Sequence, residues 1–460
     1  MNYENIYFLG IGGIGMSALA RYFLHEGRRV AGYDRTPSAL TEALEREGAA
    51  VHYDDDTALI PEEFRDPART MVVYTPAVPA DHSEYRYFRE HGFTVEKRSQ
   101  MLGHLAEGKY VMAVAGTHGK TTTTTLVAWL NRALTDGGSA FLGGISKNFA
   151  SNLVLGGGAR LAVEADEFDR SFLRLWPDVA VITSADADHL DIYGTHEAVR
   201  EAFAQFAGQI RPGGALILKQ GVELAIDNPE ITIYRYACDE AADFCARNIR
   251  LLEGGYYRYD VVTPEGVIAD CTLGIPGRVN IENAVAAVAS VWCAARHEGQ
   301  PLDEVRLRAG LAAYAGVKRR FELHVNTPRQ VYMDDYAHHP RELAATLASV
   351  RSMFPGRRIT AIFQPHLYTR TRDLHAEFAE ALSLADEVLL LPIYPAREEP
   401  IEGIVSEIIA EAVTVPCRIV EREALAGVVA QCETDVVISF GAGNIDACVD
   451  ALAEVLQRKS

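Results

Sequence analysis

Gly116-Thr117-His118-Gly119-Lys120-Thr121 sets a glycine turn, a lysine and a hydroxyl between an apolar run, Tyr110 to Ala115, and a stretch with helical spacing, Thr121 to about Leu134. Backbone N–H groups in such a turn can cradle phosphate. Lys120 can neutralise β- and γ-phosphates, and Thr121 can hold Mg²⁺. The strict GxxxxGK[ST] pattern would need glycine at Val114, so it is not met, yet strand, turn, lysine, hydroxyl and helix all remain. Lysine is scarce here, at positions 97, 109, 120, 147, 219, 318 and 459 only, which makes the placement of Lys120 informative. The pattern predicts ATP or GTP binding over Gly116, Thr117, His118, Gly119, Lys120, Thr121 and Thr122.

A second glycine turn, Gly10-Ile11-Gly12-Gly13-Ile14-Gly15, satisfies GxGxxG between an apolar run, Ile6 to Leu9, and a helical pattern, Met16 to Leu24. Such glycines let backbone approach a diphosphate, whose charge a helix N-terminus stabilises. Asp34 ends the next strand pattern and can accept from a ribose hydroxyl. By itself this motif fits NAD, FAD, another diphosphate nucleotide, or a purely structural turn.

Carboxylates and imidazoles follow other apolar runs. Leu161-Ala162-Val163-Glu164 leads into Ala165-Asp166-Glu167-Phe168-Asp169, and Val179 to Thr183 leads into Ser184-Ala185-Asp186-Ala187-Asp188-His189. Acidic groups at strand exits can reach a metal at the same sheet edge. Mg²⁺ prefers such oxygen ligands, and a site that includes histidine can also take Mn²⁺. Further along, Asp334-Asp335-Tyr336-Ala337-His338-His339-Pro340 and Gln364-Pro365-His366-Leu367-Tyr368-Thr369-Arg370 also follow strand patterns. Zinc is disfavoured there, because no cysteine or third ligand lies nearby. Arg370 and Arg372 suit a carboxylate or a phosphate.

The elements that must position these residues alternate between strand and helix with short connections, which predicts α/β units with parallel sheets. At 460 residues the chain is long enough for about three domains of roughly 150 residues each. We expect three successive α/β domains: a Rossmann-like one over 1–102, a P-loop ATPase domain over 103–316 and a second Rossmann-like one over 317–460. A 48% hydrophobic and 23% charged composition excludes bulk disorder. A net charge of -19 argues against a nucleic-acid partner. Seven cysteines without a CxxC pair fit reduced thiols. No apolar stretch reaches 18 residues and no basic leader precedes the first strand, so the expectation is a cytoplasmic protein without membrane insertion.

In order along the chain, GIGGIGMSALA, GTHGKTTTT, EADEFD, DADHLDIYG, GRVNIENAVAA, GVKRRFE, DDYAHHP and QPHLYTRTRDL resemble the Mur ligase family over essentially the whole length, and within it the alanine-adding branch. The resemblance implies a UDP-sugar domain, a central ATPase domain and a C-terminal domain serving ATP and the incoming amino acid. It implies ATP-driven activation of the lactyl carboxylate of UDP-N-acetylmuramate as an acyl phosphate, then attack by the amine of L-alanine, by a monomer or weak homodimer. Carried over by motif, Gly12, Gly13, Ile14 and Gly15, with Asp34, Thr75 and Ala77, would serve the UDP-sugar. Thr121, Glu164 and His189 would bind metal. Asn283, Arg320 and Asp335 would join the phosphate loop at ATP. Tyr336, His338, His366 and Arg370 would face the amino acid, with Lys120, His189, His338 and Arg370 catalytic. Two positions depart from the branch: Leu367, where many relatives carry arginine, and Phe168, where serine is common. No lysine lies between Lys147 and Lys219, so the carbamoylated lysine of some sister ligases is not available. The competing readings are a peptide-adding ligase acting on the same sugar nucleotide, a P-loop ATPase driving motion or regulation, and a nucleotide sensor.

Overall fold

Five short parallel strands form the first sheet, in the spatial order Ala50–His52, Arg29–Tyr33, Asn5–Leu9, Thr70–Tyr74, Thr94–Lys97. Asn5–Leu9 is buried along its whole length, as a central parallel strand covered on both faces must be. The strand order reverses beside it. The crevice where an α/β sheet takes its ligand therefore opens after Leu9 and Tyr74, which is where the first glycine turn and Thr75 stand. The following helix, Ile14–His25, turns Met16, Leu19 and Phe23 into the core at helical spacing.

The computed structural model describes residues 3–135, 137–186, 190–396 and 398–460. By its contacts the chain divides into two units: 1–246 with 261–268 and 282–314, and 247–260 with 269–281 and 315–460. The first unit holds the first sheet and most of a second, ordered Ser151–Val154, Ser139–Ser146, Arg160–Glu164, Tyr110–Ala115, Val179–Ile182, Ala215–Lys219, Thr232–Cys238. All its neighbours pair in parallel except the edge strand Ser151–Val154. Tyr110–Ala115 lies at its centre, flanked by the strands that end at Glu164 and Ile182. The two sheets share one buried core that runs from Ile6 and Phe8 through Val111 and Val163 to Phe203 and Phe206. Asn152 locks them polar-to-polar, donating to Ile14 O at 2.6 Å and to Ser17 Oγ at 2.9 Å.

The second unit carries a six-stranded sheet: Glu322–Asn326, Val331–Asp335, Val436–Phe440, Ile359–Phe363, Glu387–Leu390, Cys417–Ile419. Only Glu322–Asn326 is antiparallel. Val436–Phe440 separates the two strands whose exits bear the DDYAHHP and QPHLYTR segments, so both segments emerge at one edge.

The helix Arg98–Ala106 escapes a propensity reading because glycine sits inside it. Gly103 is there for contact: a Cβ at this position would stand 2.7 Å from Arg174 O. The helix Lys120–Leu134 contains five consecutive threonines, poor helix formers by their β-branching. Burial of Thr121, Thr123, Thr124 and Thr125 overrides that preference, and Thr124 Oγ1 returns a hydrogen bond to Lys120 O at 2.9 Å. Among the described residues no helix is long and apolar enough to cross a membrane.

Candidate active site

In the first unit, Gly116 and Glu164 leave adjacent parallel strands, and Thr183 and Ser184 leave the strand on the other side. The phosphate loop is built from this adjacency. Gly116 has φ +132° and packs so tightly on Thr183 that a side chain would strike its hydroxyl. Gly119 has φ +79°, and a Cβ there would come within 2.8 Å of Asn283 Oδ1. Glycine is demanded at both places by backbone conformation and by approach. The Ser184 hydroxyl accepts from His118 N–H at 2.9 Å and lies 2.7 Å from Thr117 Oγ1, while the Thr183 hydroxyl donates to His118 O at 2.5 Å. Asn283 reaches the same turn, accepting from Thr123 Oγ1 at 3.2 Å. Thr122 is held from behind, its carbonyl accepting from Tyr314 Oη at 3.2 Å.

Lys120 donates to Gly116 O at 2.6 Å and to Glu167 Oε1 at 2.8 Å. Burial pushes its pKa down, but the carboxylates of Glu167, Asp166 and Glu164 outweigh that and hold the ammonium charged. Glu167 is itself buried, and burial pushes its carboxyl up against the pull of Lys120. The motif pattern singled out Lys120 but not Glu167. The signal in the sequence was only an acidic residue following Glu164.

Thr121 and Glu164 supply hard oxygens at neighbouring exits, a donor set suited to Mg²⁺, which is commonly held by one or two carboxylates together with substrate phosphates. Gly143, on the strand next to Glu164, clears the space for that carboxylate: any Cβ there would collide with both of its oxygens. Gly143 was not anticipated, and the Gly143-Gly144 pair inside a strand pattern is the only sequence sign of it. Gly143→Ala should therefore lower turnover by about 10- to 100-fold through displacement of Glu164. Measuring kcat against the midpoint of thermal unfolding checks this: a loss of activity that merely tracks a loss of stability opposes it. His189 lies outside the described residues. Among those described, no three His, Cys, Asp or Glu side chains are grouped to hold a metal by themselves.

A cleft of about 230 Å³ joins Gly143 and Glu164 to the first glycine turn, with Gly13, Ile14, Gly15, Thr75 and Arg98 among its other lining residues. Gly12 also stands in the turn, its N–H donating to Asp34 Oδ2 at 2.7 Å, so Asp34 shapes the loop from below. Ala77 is exposed and does not line the cleft. Arg98 was missed by sequence reading. It begins the helix Arg98–Ala106, leans over Gly15 and pairs with Asp166 at 3.2 Å.

In the second unit, the sheet edge brings Asp335, Tyr336, His338, His366 and Arg370 together. Asp335 ends its strand and accepts from Phe321 N–H at 3.2 Å and Ala337 N–H at 2.9 Å. Arg320 lies 5.2 Å from the centre of the Tyr336 ring. The Tyr336 and His338 rings are 5.5 Å apart, and those of His338 and His366 6.2 Å. Burial pushes the His338 pKa down, with Arg370 and Arg320 adding to the effect against Glu342, which leaves the imidazole neutral at pH 7. Arg370 Nη1 is buried without a hydrogen-bond partner in the described residues. Leu367 has φ +74°, rare for a side chain with a Cβ, and begins the helix Tyr368–Leu382.

Burial raises the Asp335 carboxyl to about 7. Its folded pKa thus lies above the unfolded value, so the stabilising contribution is fully present below about pH 4 and is lost as pH rises through 7. Asp335→Asn removes this dependence. Relative to the unaltered protein, the variant should gain about 2–3 kcal/mol between pH 5 and pH 8, read by urea unfolding at the two pH values. Parallel stability curves would refute it.

The chain matches three family models: "Mur ligase family, catalytic domain" over residues 5–110, "Mur ligase middle domain" over 114–291 and "Mur ligase, glutamate ligase domain" over 319–443. It is 52% identical to the UDP-N-acetylmuramate–L-alanine ligase of Parabacteroides distasonis, covering 98% of this chain and 97% of that one. It is 47% identical to the enzyme of that name from Porphyromonas gingivalis, over 99% of both. Among solved structures, the UDP-N-acetylmuramate–alanine ligase of Thermotoga maritima superposes with a TM-score of 0.81 at 26% identity, covering 99% of this chain and all of that one. A murein peptide ligase from Psychrobacter arcticus shares the fold, with a TM-score of 0.70 at 23% identity over 98% of each chain.

Proposed function

The chain belongs to the Mur ligase family, and from that premise we propose that it is the ATP-dependent ligase that joins L-alanine to the lactyl carboxylate of UDP-N-acetylmuramate in peptidoglycan precursor synthesis. One arrangement carries the reading. The first glycine turn and Glu164 line a single cleft, so an acceptor held by its diphosphate at Gly12–Gly15 has its far end beside the acidic edge next to the phosphate loop. The choice of alanine rests on the relatives that share about half of this chain's residues.

A carboxylate is a poor electrophile. Transfer of the γ-phosphoryl group of ATP onto a lactyl oxygen converts that oxygen into a leaving group, with ADP released. The alanine amine then attacks the acyl carbon, and phosphate departs as the amide forms. Lys120 and backbone N–H groups of the turn 116–121, apart from that of His118, which is held by Ser184, orient the triphosphate and offset charge as the phosphoryl moves. Thr121 and Glu164, with His189, would hold Mg²⁺ (Mn²⁺ can replace it), which supplies further charge neutralisation on the phosphates. Asn283, Arg320 and Asp335 serve the nucleotide. Tyr336, His338, His366 and Arg370 serve the amino acid, whose carboxylate suits the buried Nη1 of Arg370, which has no partner among the described residues. His338, neutral at pH 7, can accept a proton from the alanine ammonium. We place the domain boundaries after residues 102 and 316 and the protein in the cytoplasm, where its nucleotide substrates are made.

The test is direct. Purified protein is supplied with ATP, Mg²⁺ and UDP-N-acetylmuramate, and offered L-alanine, L-serine, glycine or a wall tripeptide in turn. Formation of the alanine amide with stoichiometric phosphate release is expected, with kcat/KM highest for L-alanine. Preference for the tripeptide would assign the peptide-adding reaction instead, and ATP hydrolysis without amide formation would exclude a ligase.

A further inference from the structure

The turn that follows Glu164 pairs with the cations of both ligand loops. Asp166 Oδ2 lies 3.2 Å from Arg98 Nη2, beside the first glycine turn. Glu167 Oε1 lies 2.8 Å from Lys120 Nζ, in the phosphate loop. Asp169 adds a third pair, 2.8 Å from Lys97. Arg98 and Lys120 each face a place where a ligand anion is expected, and each is met there by a carboxylate of one segment, 166–169. Glu167 is 1% exposed, and its Oε2 is buried with no partner in the described residues. The segment is held in a narrow conformation. Asp169 and Arg170 have φ +52° and +54°, consecutive left-handed residues without glycine. Phe172 N–H donates to Asp166 O at 2.9 Å, Arg170 N–H to Glu167 O at 3.0 Å, and Tyr193 Oη to Glu167 O at 2.6 Å. The two carboxylates therefore stand side by side on one hydrogen-bonded turn, so a displacement of that turn shifts both.

We propose that Asp166 and Glu167 are positioning residues that act as built-in counter-anions, Asp166 for Arg98 and Glu167 for Lys120, so that an anion bound at either loop releases the shared turn and raises affinity at the other. This rests on the reading above, in which the first loop takes a nucleotide diphosphate and the second a nucleoside triphosphate. A ligand phosphate at Lys120 has to displace Glu167. A diphosphate reaching Arg98 has to displace Asp166. Whichever arrives first does the work of opening the turn, and the second finds it already open.

Titration calorimetry on the full chain, with UDP and a non-hydrolysable ATP analogue in excess Mg²⁺, tests this. Saturating UDP should tighten analogue binding by about fivefold or more, and the analogue should tighten UDP by the same factor. Glu167→Gln should bind the analogue more tightly on its own, and UDP should then add little. A structural role alone would weaken binding instead. Asp166→Asn should show the mirror image, tighter UDP binding with the coupling lost, and carries the test if Glu167→Gln fails to fold. The proposal is overturned if the two ligands bind independently in the unaltered protein, if the coupling survives in both variants, or if Glu167→Gln weakens the analogue. Failure of the unaltered protein to bind UDP would instead count against the diphosphate reading of the first loop. The affinity of Glu167→Gln for the analogue would still decide whether Glu167 is a counter-anion.

Discussion

Lys120→Ala is expected to abolish amide formation, lowering kcat by about three orders of magnitude or more, while binding of UDP-N-acetylmuramate persists. The ammonium is the only lysine in the phosphate loop, and the neighbouring carboxylates keep it charged despite its burial. No other side chain of the turn carries a permanent positive charge, because His118 is an imidazole and Thr117, Thr121 and Thr122 are neutral. The substitution also strands Glu167 in the interior without its cation. Losing one partner of a buried pair costs about 3–5 kcal/mol, so the single variant should be less stable as well as inactive. Lys120→Met combined with Glu167→Gln separates the two effects. The double variant should recover most of the stability and none of the activity, as read by urea unfolding and by phosphate release. Recovery of activity along with stability would show that Lys120 is structural.

Arg370→Ala should raise KM for L-alanine by about 100-fold, with KM for ATP nearly unchanged. A hydrogen bond to a charged group is worth about 1.5–3 kcal/mol, and a forked guanidinium–carboxylate contact lies toward the upper end of that range. Arg370 is suited to it because Nη1 is buried and has no hydrogen-bond partner among the described residues. A donor in that state is open to an oxygen of a bound ligand. Arg370→Lys keeps the charge and loses the fork, so an intermediate rise of about tenfold is expected. Steady-state kinetics with alanine and ATP varied separately give the split. Equal effects on both KM values would move Arg370 away from the amino acid.

Where chemistry restricts the residue type at a strand exit, the candidate positions were legible in the sequence. Gly116, Gly119, Lys120 and Thr121 are such positions, since phosphate binding needs open backbone, a cation and a hydroxyl at fixed spacing. The glycines of 12–15, Glu164 and Asp335 are others. Arg98, Gly143 and Glu167 were not legible. Arg98 follows an edge strand whose polar pattern, Thr94–Lys97, resembles a loop. Gly143 matters only because the Glu164 carboxylate lies across it from the neighbouring strand. Glu167 looks like any solvated acid until Lys120, 47 positions earlier, is found against it. GxGxxG shows the converse limit: the motif fits a dinucleotide, another diphosphate nucleotide or a structural turn alike, because the glycines fix only the backbone.

Alternating apolar strands and helices made the chain α/β, and glycine, lysine and acid at strand exits made it a nucleotide-dependent enzyme. Those features are local, set by backbone geometry and side-chain chemistry over a few residues. Only the tertiary structure decided the order of strands within each sheet. That order sets Glu164 beside the phosphate loop, opens the first cleft onto the Glu164 carboxylate, and gathers Asp335, His338, His366 and Arg370 at one edge. Pairing between distant strands depends on how whole faces pack and exclude water, and no short stretch of sequence carries that information.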